Sequence, residues 1–69
     1  MKPAEDIYTE ICLAADTAAA LRELGAGALS RLIRHLRGTG ADGGVPGIVL
    51  GMAEMEAVER FLKIQDNKA

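Results

Sequence analysis

Four glycines fall within residues 38–45, GTGADGGV, and a proline follows at once at position 46. Glycine weakens a regular element that it interrupts, and proline can open a helix more easily than continue one. The chain must therefore fold as two arms joined by this connector. The six residues GTGADG also match G-x-G-x-x-G letter for letter. That fingerprint holds a dinucleotide pyrophosphate only when it follows a strand, opens a helix and sits inside a βαβ unit of about 30 residues. Here a helical pattern precedes it, and 69 residues leave no room for the surrounding sheet. A P-loop is excluded as well, because GADGGVPG contains no Gly-Lys-Ser/Thr. The glycines are expected to serve a helix–helix connection: Gly38 as a left-handed cap, Asp42 and Gly43 as turn residues, Pro46 as the first residue of the next helix.

Helix signals fill the first arm. Pro3 suits a first helical position, and Glu5 and Asp6 sit where the positive end of the helix dipole favours acids. From there Ile7, Ile11, Ala14, Ala18, Leu21, Gly25, Ala28 and Leu32 recur at alternating spacings of four and three, the period of a helix that packs along a seam. Arg31, Arg34, His35 and Arg37 crowd the last turns, as the negative end of the dipole favours. These signals predict one helix over residues 3–37.

The second arm predicts a helix over residues 46–66 with two apolar stripes. Ile48, Met52, Met55, Val58 and Leu62 form one; Leu50, Ala57, Phe61 and Ile64 form another, and two stripes imply two neighbours. Glu56 with Arg60, and Glu59 with Lys63, are i to i+4 pairs of the favoured orientation and are expected to form a solvated face.

Gly25 and Gly27 leave two architectures open, since each costs about 1 kcal/mol relative to alanine inside a helix. A break there gives a three-helix bundle of residues 3–24, 28–37 and 46–66. A helix-turn-helix reader within it fails at three places, because Leu21 stands where a small residue belongs and Arg31 and Arg34 stand where buried apolar residues belong. The continuous helix is preferred, with Gly25 joining Ala14, Ala18 and Ala28 in a ridge of small residues. Residues 3–37 would then span about 52 Å and residues 46–66 about 31 Å at 1.5 Å per residue. The shorter helix would leave Ile7, Tyr8, Ile11 and Cys12 uncovered. With the spare stripe of Leu50, Phe61 and Ile64, that overhang predicts a single all-α domain: a helical hairpin with a long first helix, a Gly-rich loop over 38–45 and a shorter second helix, forming a homodimeric four-helix bundle.

Size supports self-association. A chain of 69 residues with 3% aromatics and no Trp has a thin core, and such chains need a staple. Cys12 has no partner for a disulfide, and one histidine, His35, makes no zinc set. Cys12 is expected to be a small buried residue and His35 an exposed helix-end residue. The start MKPAED carries acids where a signal peptide is apolar, and no run of about 18 apolar residues can cross a membrane. A cytoplasmic chain with no membrane contact is the expectation. No catalytic set can be assembled around a single histidine and a single cysteine, so no enzymatic activity and no cofactor are expected.

A net charge of −2 argues against nucleic acid, although the alternative has a precedent in shape. The chain resembles small plasmid copy-number regulators, which pair two helical hairpins into an RNA-binding bundle, and that resemblance implies backbone contacts from Arg31, Arg34 and Arg37. The preferred reading is a regulator that binds and inhibits another protein. Leu13 and Leu24 project on the polar side of a continuous helix and, with the arginine trio, are the candidate gripping residues. In size, acidity and helical-hairpin pattern the chain resembles small phage-encoded proteins that block host regulators, among them antiactivators of quorum-sensing transcription factors in pseudomonads. That resemblance implies stoichiometric inhibition of a host regulator without a cofactor. An antitoxin fits the same physics.

Overall fold

A computed structural model describes the backbone of residues 2–40 and 43–68, and the side chains of these up to residue 65. Four helices are present and no strand among the described residues: α1 (Ala4–Leu13), α2 (Thr17–Glu23), α3 (Ala26–Gly38) and α4 (Gly44–Lys68). The all-α class is as expected. The single long helix over 3–37 is not, because the first arm breaks twice.

The first break lies at residues 14–16, where Ala14 turns extended at ψ 142°. Asp16 then caps α2, its carboxylate accepting from the Ala19 N–H at 3.1 Å, which satisfies one of the donors a helix start leaves open. The second break falls at Leu24 and Gly25. Gly25 is the N-cap of α3 with φ −68°, and its carbonyl accepts from the Leu29 N–H at 2.9 Å. Gly25 therefore serves as a cap and not as part of a small-residue ridge.

Burial explains the breaks. A continuous helix would leave Ile7 and Ile11 bare, whereas folding α1 back places both in one core with Leu21, Leu29, Leu32, Leu36, Val49 and Ala53. Each large side chain so buried contributes roughly 1.5–3 kcal/mol. α1 packs on α2 and α3, and α4 packs on α2 and α3. The leucine row of α3, Leu29, Leu32 and Leu36, is thus the central ridge.

The connector is shorter than residues 38–45. Gly38 still belongs to α3, Thr39 is its C-cap at φ −89°, and Gly40 rather than Gly38 adopts the left-handed conformation, at φ +69°. Gly44 opens α4 at φ +66°, and Pro46 lies in the first turn, where its missing N–H costs nothing. Asp42 lies outside the described residues.

The face of α4 that meets the core also differs from the expected one. Val49 and Ala53 are buried, Leu50, Met52 and Ala57 are half-buried against the core, and Ile48, Met55, Val58 and Leu62 face outward. Small residues let α4 come close to the leucines of α3, which the bulk of Ile48 and Met55 would prevent. Leu50 is consequently a core neighbour and not part of a spare stripe.

Candidate functional site

Leu24 and Arg31 stand in different turns of the sequence, and the fold brings them to one cavity. α1, α2 and α3 frame a half-open cavity of about 450 Å³ lined by Ile7, Ile11, Ala20, Leu24, Ala28 and Arg31, within the usual range for ligand pockets of about 300–1,000 Å³. Lys2, Glu10 and Glu23 complete the lining. Lys2 is engaged with Glu10 at 2.7 Å. Arg31 lies back along α3 over Gly27, where an added Cβ would meet its guanidinium at 3.5 Å. Its Nε is buried with no hydrogen-bond acceptor among the described residues. A buried guanidinium donor left unpaired is costly; the Nε itself is closed off from the cavity, and a carboxylate entering there would meet the part of the Arg31 side chain that lines it.

Leu24 was expected to be exposed. It is half-buried against the core, and the break after α2 is what turns it inward. Leu13 remains as expected, 80% exposed at the end of α1, but does not line the Leu24 cavity. The arginine trio does not form one patch. Arg31 lines the cavity, Arg34 is exposed, and Arg37 pairs with Glu54 of α4, its Nε donating at 3.0 Å and its Nη2 donating to the same oxygen. His35 is half-buried rather than exposed.

The expected dimer residues also separate. Ile7 and Ile11 are buried in their own chain and are not available to another, which removes the overhang that α4 was thought to leave. Tyr8 is half-buried. Hydrogen bonding to the Cys12 side chain, one turn on, pushes the Tyr8 phenol above its ordinary pKa. Cys12 itself is exposed and not the buried residue expected. Phe61 and Ile64 are more than half exposed, as a spare apolar face requires.

Glu56 and Arg60 are not a solvated pair. Their side chains are 14% and 27% exposed, with the Arg60 Nε donating to Glu56 at 2.8 Å. The Arg60 Nη2 donates to the carbonyls of Leu21, Arg22 and Leu24 at 3.1, 3.2 and 2.8 Å. One guanidinium therefore closes the C-terminus of α2, where orphan carbonyls need partners. Sequence reasoning missed this role, because only the fold brings together residues so far apart in the chain.

α4 carries an outward-facing apolar row. Ile48, Met55 and Leu62 are 64%, 60% and 55% exposed, and they recur at seven-residue intervals. A groove of about 510 Å³ runs beside them toward α2, lined by Leu21, Gly47, Gly51 and Met52 among others. Among the described residues no three His, Cys, Asp or Glu side chains gather as a metal site, and no helix is long and apolar enough to cross a membrane. The GTGADG stretch joins two helices, so it lacks the strand that dinucleotide binding requires. No protein-family model, curated protein or solved structure matches the chain.

Proposed function

We propose that this chain is a small regulator that works by binding another protein, assembled as a homodimer and without chemistry of its own. The observation that carries the reading is the cavity whose lining brings Leu24 and Arg31 together. The apolar part of this cavity, from Ile7, Ile11, Ala20, Leu24 and Ala28, lies beside the Arg31 guanidinium, with Lys2 already held by Glu10 and with Glu23 as the remaining charge. It suits a protruding side chain that is apolar along its length and ends in a carboxylate directed at Arg31. Such a contact combines desolvation with a directional hydrogen bond, as interface hot spots do. A stoichiometric inhibitor needs nothing more.

Ile7 and Ile11 are buried within the protomer, and what supports the homodimer is the exposed apolar length of α4 in a chain too small for a large core of its own.

The test begins with a pull-down from host lysate and identification of the bound protein, followed by titration of the purified pair. Arg31→Met is the informative variant, since it keeps the side-chain volume and removes the guanidinium; Leu24→Ala would also disturb the core. Arg31→Met should retain wild-type helicity and lose tenfold or more in affinity, a cost of about 1.4 kcal/mol or greater. Affinity within about twofold of wild type contradicts the cavity as the gripping site. Co-purified RNA or DNA whose retention falls steeply with salt contradicts the protein-binding reading itself.

A further inference from the structure

Gly51 lies in the interior of α4, where glycine is disfavoured relative to alanine. Nothing among the described residues demands it: its φ is not positive, the residue is exposed, and a Cβ added there would meet none of their atoms within 4 Å. Glycine at such a place is explained by a backbone that approaches from outside. Gly51 is flanked on the surface by Ile48, Met52 and Met55, and the groove between α2 and α4 opens beside it. We infer that a second copy of this chain packs its α4 against this one, with the two helices closest at Gly51 and with Ile48, Met55 and Leu62 forming the seam.

Three further observations favour a second copy as the occupant. Ile48, Met55 and Leu62 are spaced seven residues apart, the repeat that keeps one helix face against another helix over its length. The two-fold pairing of identical helices buries the same stripe on each side and needs no other surface. Area points the same way: the chain exposes 4744 Å², about 500 Å² more than a compact monomer of 7.3 kDa, an excess that covering one face would remove and that is about two-thirds of the roughly 800 Å² per partner of a standard interface. The groove beside Gly51 then receives side chains of the opposing helix, as knobs enter holes.

This inference deepens the homodimer reading above by naming its seam. Sedimentation equilibrium of the full chain tests it, with Gly51→Leu and Met55→Ser beside the wild type. The wild type should be dimeric at micromolar loading. Gly51→Leu should keep or raise the helical circular dichroism and weaken the dimer about tenfold or more, because its side chain holds the two backbones apart. Met55→Ser should weaken it in the same direction by loss of apolar contact, which keeps the test valid should Gly51→Leu misfold. A wild-type dimer unaffected by both variants overturns the α4 seam and leaves the homodimer standing on another face. A folded wild-type monomer at about 100 µM overturns both and leaves the stripe to a different protein.

Discussion

Arg60→Ala is expected to cost roughly 2–3 kcal/mol and to lower the melting temperature by about 10–20 °C. The magnitude follows from what one guanidinium holds. Its Nη2 serves the carbonyls of Leu21, Arg22 and Leu24, and its Nε pairs with Glu56 inside a partly buried pocket. Alanine would leave a mostly buried Glu56 carboxylate and the end of α2 without partners. α2 has seven residues, too few to persist without tertiary support. Total stability for a chain of this length is on the order of 3–10 kcal/mol, so the loss is a large share. Arg60→Lys keeps the charge but cannot reach several carbonyls and Glu56 together, and should recover less than half. Thermal unfolding followed by circular dichroism measures each. A change of under about 0.5 kcal/mol in Arg60→Ala, the size of an ordinary surface substitution, would remove the staple from the description.

A leucine placed at position 53 or at position 51 should act in opposite directions in the dilute, monomeric limit. Ala53 is fully buried between α4 and the leucine row of α3. A larger side chain there must push the helices apart, and the expected loss is about 3 kcal/mol, at the upper end of overpacking. Gly51 faces open space two residues earlier. Leucine there should stabilise the monomer by up to about 1 kcal/mol through helix propensity alone. Urea unfolding of the two variants decides which side of α4 is inside. The opposite ranking would restore Ile48, Met52 and Met55 as the buried stripe.

That inversion shows what the sequence could and could not reveal. The start of α1 near Pro3, the end of α3 at residue 38 and the division at the Gly-rich connector were legible, because caps, charges at helix ends and glycine act locally. The two breaks were not. Alanine at positions 14, 15 and 18–20 supports helix on either side of Asp16, so the cap could be read as an ordinary helix residue. What selects the break is the burial of Ile7 and Ile11 against Leu29, Leu32 and Leu36, a contact across more than one turn of chain direction. Periodicity failed for α4 for a different reason. Apolar residues occur on every side of that helix, so spacing cannot choose a face, and the choice falls to Val49 and Ala53 because their small size permits close approach.

The candidate site was legible in part. Leu24 and Arg31 are both among the candidate gripping residues, though Leu24 on the premise that it projects from a continuous helix; their convergence in a cavity depends on the second break. Arg37, read as a helix-end and gripping residue, reaches Glu54 of α4 and stays exposed, while Arg60 reads as a solvated charge and instead ties α4 to α2. Their partners lie 17 and 36–39 residues away in sequence, and no local pattern records such a distance.

The central claim is that the outward stripe of α4 is a binding surface occupied by a second copy. The most direct measurement is the melting temperature of the wild-type chain over a hundredfold range of concentration. A native state stabilised by association must become more stable as concentration rises. For a chain of this size the expected rise is roughly 5–10 °C across that range. A melting temperature that stays constant across the whole range would contradict the claim.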